Sequence, residues 1–184
     1  MGFCYTVLVL VENNYGKGFF HRADTHFGDE GIIKFGYRPF GNSDEMDEQL
    51  IKNWNEVVSN EDTVWVIGDF CPSNKKYKIK DILSKLNGKK NLVKGNHDEN
   101  SEEFYRECGF ASVYSYPVII KEFYILSHHP LHLNDGMPYF LIYGHIHGNP
   151  IYKTRCSHGM CVSVERINYR PISFEEILNH PIEK

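Results

Sequence analysis

Four short polar segments in this chain each lie just beyond a run of apolar, β-prone residues. Asp24 and His26 follow the run at 18–23, Asp69 follows 63–67, Asn96 follows 90–93, and His128 follows 122–126. A fifth segment, Gly144-His145-Ile146-His147, closes the series. This placement constrains the fold more than any other feature. An open α/β sheet gathers its ligands at the carboxyl ends of its strands, where the loops converge on one edge. Chance scatter of ten histidines does not produce it.

The remaining pattern agrees with an α/β chain. Further strand-like runs lie at 5–11, 117–120 and 160–164, and several runs are continuously apolar, as in strands covered on both faces. Residues 44–58 carry Met46, Leu50, Trp54 and Val57 on one helical stripe, start near Asn42 or Ser43, and place Asp44, Glu45, Asp47 and Glu48 in the first turns. A second helix is expected over 76–86, stopped by Asn87-Gly88, and a third over 102–108, stopped by Gly109. The last is expected over 173–178, where Ser173 and Glu176 have capping-box spacing. The hairpin-like pair at 117–126, split by Lys121, predicts a sheet that is not purely parallel.

Composition narrows the class of partner. A chain of 184 residues with 41% hydrophobic content is long enough for one domain with a real core. A formal net charge of −4 advertises no polyanion-binding surface, so nucleic acid is not the favoured partner. Five cysteines without CxxC spacing and without a secretory signal read as reduced thiols, mostly small buried hydrophobes, in a cytoplasmic protein; Cys156 and Cys161 are the pair expected to lie closest. No apolar run approaches the roughly 18 residues that cross a membrane. Met1-Gly2-Phe3-Cys4-Tyr5-Thr6 matches an acylation pattern formally, but the strand expected over 5–11 ties that end into a sheet instead.

In order, the motifs read Asp24-Thr25-His26, Gly68-Asp69, Gly95-Asn96-His97-Asp98, Ser127-His128-His129-Pro130 and Gly144-His145-Ile146-His147. This series resembles the calcineurin-like metallophosphoesterase superfamily, in the manner of its small bacterial and phage members, over about 19–177. The resemblance implies an α/β fold of two packed mixed β-sheets flanked by helices, a four-layer α/β/β/α sandwich forming a single domain over 1–184, with 5–11 as an extra N-terminal strand. It also implies two divalent metal ions. Asp24, His26, Asp69 and His147 would hold one, and Asp69, Asn96, His128 and His145 the other, with Asp69 bridging. All these donors are oxygen or imidazole nitrogen, which suits manganese, iron, cobalt, nickel or zinc without choosing among them.

The chemistry explains the residue types. Hydrolysing a phosphate ester near neutral pH needs an activated nucleophile and compensation for phosphoryl charge, and a metal-bound hydroxide between two ions supplies both. His97, beside a candidate ligand but unable to share its ion, is expected to protonate the leaving group, with Asp98 orienting its ring. His129 and Arg38, the latter in the string Gly36-Tyr37-Arg38-Pro39-Phe40, are expected to contact substrate. His21, His158 and His180 are expected to be structural or exposed. Where relatives carry a second His after the DxH segment, this chain has Asp29, which would take over or lose that role.

The expected activity is therefore metal-dependent hydrolysis of a phosphate ester, with a phosphodiester favoured over a monoester and a small, possibly nucleotide, substrate. Two other classes are compatible with the resemblance. One is a protein-interaction scaffold that has lost catalysis, against which His97 is present. The other is a nuclease, which calls for a basic groove or an added domain, and neither is evident in the sequence.

Overall fold

The computed structural model describes residues 9–10 and 18–183. In chain order the elements are β1 (Val9–Leu10), β2 (Phe19–Arg22), α1 (Glu30–Phe35), α2 (Ser43–Val57), β3 (Thr63–Ile67), α3 (Ile79–Lys85), β4 (Lys89–Val93), α4 (Glu102–Cys108), β5 (Ser112–Tyr114), β6 (Val118–Ile120), β7 (Tyr124–Ser127), β8 (Phe140–Tyr143), β9 (Arg155–Cys156), β10 (Gly159–Cys161), β11 (Ile172–Ser173) and α5 (Phe174–Asn179). Short 3-10 segments cover Ser73–Lys78 and Val164–Arg166. Of the strand expected over 5–11, Val9–Leu10 pairs in parallel with β6, and the rest lies outside the described residues, as do Cys4 and the acylation-like string.

Two mixed sheets form. One has the order β11-β2-β3-β4-β5, with β2 to β5 parallel and β11 antiparallel. The other has the order β1-β6-β7-β8-β10-β9; β7, β8 and β10 run parallel, while β6 and β9 run against their neighbours β7 and β10. The expected hairpin is present as β6 and β7. It turns through Lys121 and Glu122, both in the left-handed region at φ 47° and 63°, a pairing that matches the strand twist.

Strand β3 shows how the layers are assembled. Alternate side chains leave opposite faces of a strand. Val64 and Val66 therefore pack toward Met46, Leu50 and Trp54 of α2, while Trp65 and Ile67 pack between the sheets against Val118, Ile120, Leu126, Ile142 and Met160. Burying each such side chain contributes about 1.5–3 kcal/mol. Helix α2 begins where its cap chemistry directs, with Asn42 accepting from the Glu45 amide, and α5 carries the full Ser173/Glu176 capping box. The helices around α2 cover the five-stranded sheet. The outer face of the other sheet, Ile119, Ile125 and Leu141, is covered instead by Leu131, Leu133 and Tyr139 of an irregular segment.

Some local expectations shift. The helix expected over 76–86 starts as a lysine-rich 3-10 turn and becomes α-helical only at Ile79. Helix α1, capped by Asp29, was not expected. Cys71 and Cys161 are buried, Cys108 is half-buried and Cys156 is exposed, and all four are free thiols; Cys156 and Cys161 lie on the paired strands β9 and β10. Among the described residues no helix is long and apolar enough to cross a membrane.

Candidate metal centre

The loops leaving β2, β3, β4, β7 and β8 meet at the carboxyl edge shared by the two sheets. They are pinned to one another through the backbone: Asp24 N–H donates to Gly68 O (3.0 Å), His26 N–H to Asp69 O (2.9 Å), and Gly144 N–H to His128 O (3.1 Å). Asp24, His26, Asp69, His145 and His147 all adopt positive φ, between 48° and 70°. Non-glycine residues rarely adopt this conformation, and it persists where the surroundings over-determine it, characteristically at functional sites. The motif glycines make room for the crowding. At Gly68, φ 81°, a Cβ would overlap the His128 ring, and at Gly144 it would come within 2.6 Å of Asp24 Oδ2.

The side chains converge into a buried floor and an open rim. Asp24, His26, Asp69 and His128 are each at most 2% exposed, whereas Asn96, His97, His129 and His145 face solvent. Asp69 Oδ2 lies 3.3 Å from His128 Nε2 and 3.5 Å from His26 Nε2, and Asp69 Oδ1 accepts from the His97 amide at 2.9 Å. Asn96 Oδ1 is 3.0 Å from both His128 Nε2 and His145 Nδ1. Donor atoms within 4.8 Å of one another form three groups: Asp24, His26 and His147; Asp24, Asp69 and His128; and His128, His129 and His145.

Two of these histidines have an outer hydrogen-bond partner for Nδ1, which turns Nε2 toward the centre: His128 Nδ1 is 3.1 Å from Ile67 O and His147 Nδ1 is 3.1 Å from Glu165 Oε1, while His26 Nδ1 lies only at ion-pair distance, 3.6 Å, from Asp29 Oδ2. Fixing the tautomer through the distal nitrogen is how metal-binding imidazoles are oriented. Glu165 is itself held by Arg38; burial alone would raise its carboxyl, but the His147 hydrogen bond and the Arg38 guanidinium hold it down to about 2.

The fit of a cation is tested by what the floor leaves unmade. Both ring nitrogens of His26 are buried without a hydrogen bond, their carboxylate neighbours lying at ion-pair distance. Burial opposes the charge on that ring, yet Asp29 and Asp69 raise it to about 9. Burial also pushes the Asp24 carboxyl above its usual range. Carboxylate oxygens, an amide oxygen and orphaned imidazole nitrogens without thiolate form a donor set suited to divalent ions. The family model of the calcineurin-like phosphoesterases matches residues 19–183. The chain belongs to that family.

An uncharacterised protein of Methanocaldococcus jannaschii is 37% identical to this chain over 165 residues, covering 85% of this chain and 86% of the relative. The gene 66 protein of Mycobacterium phage L5 is 34% identical over 79 residues, 41% of this chain and 37% of that protein. The crystal structure of a protein of unknown function from Aquifex aeolicus superposes with a TM-score of 0.70 at 27% identity, covering 88% of this chain and 98% of the other.

Two expected roles are corrected in this member of the family. Arg38 is 4% exposed and its guanidinium is spent: Nε donates to Glu165, Nη1 to Thr25 O and Met46 Sδ, and Nη2 to Asp24 O and Glu165. It clamps the Asp24 loop from below and presents no N–H to a substrate. Asp98 does not orient the His97 ring. Its buried carboxylate accepts from the amides of Asp69 (2.8 Å), Gly95 (2.9 Å) and Phe70 (3.1 Å), locking the two loops together. The His97 ring instead packs edge-on against His26, with centroids 5.0 Å apart.

His129 stands at the rim, its ring 4.4 Å from His145. His21 is buried beside Phe19 and Phe174, and burial lowers its ring to about 3. His158 pairs with Asp135, and His180 caps the end of α5. The sequence reading missed Glu165 and Ser163, whose hydroxyl donates to Asp24 Oδ2 at 2.6 Å. Both follow β10, so the rule that located the other loops, extended to one more strand, would have found them.

Proposed function

We propose that this protein hydrolyses phosphate diesters at a two-ion centre. Asp24, His26, Asp69 and His147 would hold one ion and Asp69, Asn96, His128 and His145 the other, in manganese, iron, cobalt, nickel or zinc form. Such ions supply Lewis acidity and an activated water-derived nucleophile. Asp69 holds the two sets of donors together, while Arg38, Glu165, Ser163 and Asp98 fix the loops that carry them. His97, on the rim and free of side-chain hydrogen bonds among the described residues, donates a proton to the departing ester oxygen.

The observation that carries the diester reading is that two separate clefts each have residues of the centre in their lining. One, of about 440 Å³, is lined by His145 and His147, and the other, of about 150 Å³, by His128 and His129. A phosphodiester has two substituents to accommodate, a monoester one. With manganese-loaded protein, bis-p-nitrophenyl phosphate should be turned over at least ~10-fold faster than p-nitrophenyl phosphate, a difference of about 1.4 kcal/mol in barrier. Equal rates, or a faster monoester, would remove the diester preference.

The support of His147 yields a further expectation. Glu165→Gln keeps the size of the side chain but removes the charge that orients that ring, and should weaken metal binding by about 10- to 100-fold. Chelator competition measures it; unchanged affinity would show that Glu165 serves the fold alone.

A further inference from the structure

We infer that the larger cleft is a seat for a planar aromatic substituent of the substrate, of nucleobase size, carried on a small ester. The inference rests on the reading that the centre holds the phosphoryl group.

The cleft's inner end is made by His145 and His147, and its outer wall carries Phe35, Tyr37 and Tyr152. These three are 73%, 93% and 50% exposed. Single exposed aromatics are ordinary on protein surfaces. Three on one cleft that opens from a candidate metal centre are not, and each offers a π-face on which a base can stack irrespective of its identity. Phe35 ends α1 with its ring 6.1 Å from that of His147 and nearly perpendicular to it, so the aromatic wall begins where the centre ends.

Tyr37 holds φ at 49°, in the left-handed position that ends α1 after Gly36, with the Arg38 amide bonded back to Ile33 O at 2.9 Å, so its ring is held beside the cleft by the helix end. The loop that brings His147, Asn149 and Tyr152 to the cleft is tied down, since Arg166 donates to the carbonyls of all three and to Thr154 Oγ1. A volume of about 440 Å³ lies within the range of small-ligand sites. The net charge of −4 favours a small ester over a polyanionic strand.

The test compares two monoesters that differ only beyond the phosphate. Calorimetric titration of the manganese-loaded full chain should show thymidine 5′-monophosphate binding roughly 10- to 100-fold tighter than methyl phosphate, the range expected for one stacked base. Phe35→Ala and Tyr37→Ala, at positions exposed enough to leave the fold intact, should each reduce that preference several-fold. Equal affinity for the two esters, or a preference that survives the double substitution, would overturn the inference. An oligothymidylate should bind no tighter than the mononucleotide; affinity that grows with strand length would overturn the assignment to a small ester. Because binding is read directly, a protein that shows the preference yet hydrolyses no diester would refute the proposed activity while upholding the aromatic seat.

Discussion

Asp69→Asn should strip most of the metal from the protein and reduce activity by at least about 10³-fold, the largest effect expected of any single substitution. The carboxylate lies between two groups of donors: Oδ2 faces His26 Nε2 at 3.5 Å and His128 Nε2 at 3.3 Å, and the two rings belong to different proposed ion sites. An amide of the same size keeps an oxygen for the His97 N–H but turns an NH₂ group or a neutral oxygen toward both sites, so two coordination spheres weaken together. Elemental analysis after dialysis decides the matter, with circular dichroism to confirm that the fold is kept. Retention of two ions per chain would show that Asp69 does not bridge.

His97→Ala should leave both ions in place and lower turnover by about 10²- to 10⁴-fold, the contribution of a positioned general acid. Its amide is engaged with Asp69, whereas its ring is exposed and lies edge-on to His26, so truncation removes a proton donor without removing a buried support. The diagnostic is the leaving group. A substrate whose leaving oxygen needs no proton should lose little, and an alkyl ester should lose most of its rate. A loss that is uniform across leaving groups of widely different pKa would exclude the acid role, and loss of metal would make His97 structural.

What was legible in the sequence, and what was not, follows the range of the interactions. Helix α2 announced itself through a repeating apolar stripe and an Asn cap, and α5 through its capping box, because both signals lie within a few residues. Strands β5, β9 and β11 have only two or three residues, too few for an alternation to be read. Helix α1 has six residues with a glycine among them, and its cap, Asp29, was weighed for its chemistry instead. At the site, the order of five short motifs beyond apolar runs, and the family resemblance that this order carries, drew attention to Asp24, His26, Asp69, Asn96, His128, His145 and His147. The roles of Arg38 and Asp98 were not readable, because they depend on partners brought together by the fold: Arg38 meets Glu165 across 127 positions, and Asp98 meets Asp69 across 29.

Because the loops around the centre hold one another, they are expected to lose their structure together. The Asp69 and Phe70 amides are bound to Asp98, the His97 amide to Asp69, and the His145 amide to Asp24, whose own amide is bound to Gly68. Loops at a protein surface ordinarily open one at a time, at little free-energy cost, ahead of the strands beneath them. Here each amide is sheltered by a group from a different loop, so none can exchange its proton with solvent until several loops part at once. In a hydrogen-exchange experiment these amides would share a single slow rate, closer to that of β3 than to that of an exposed connection.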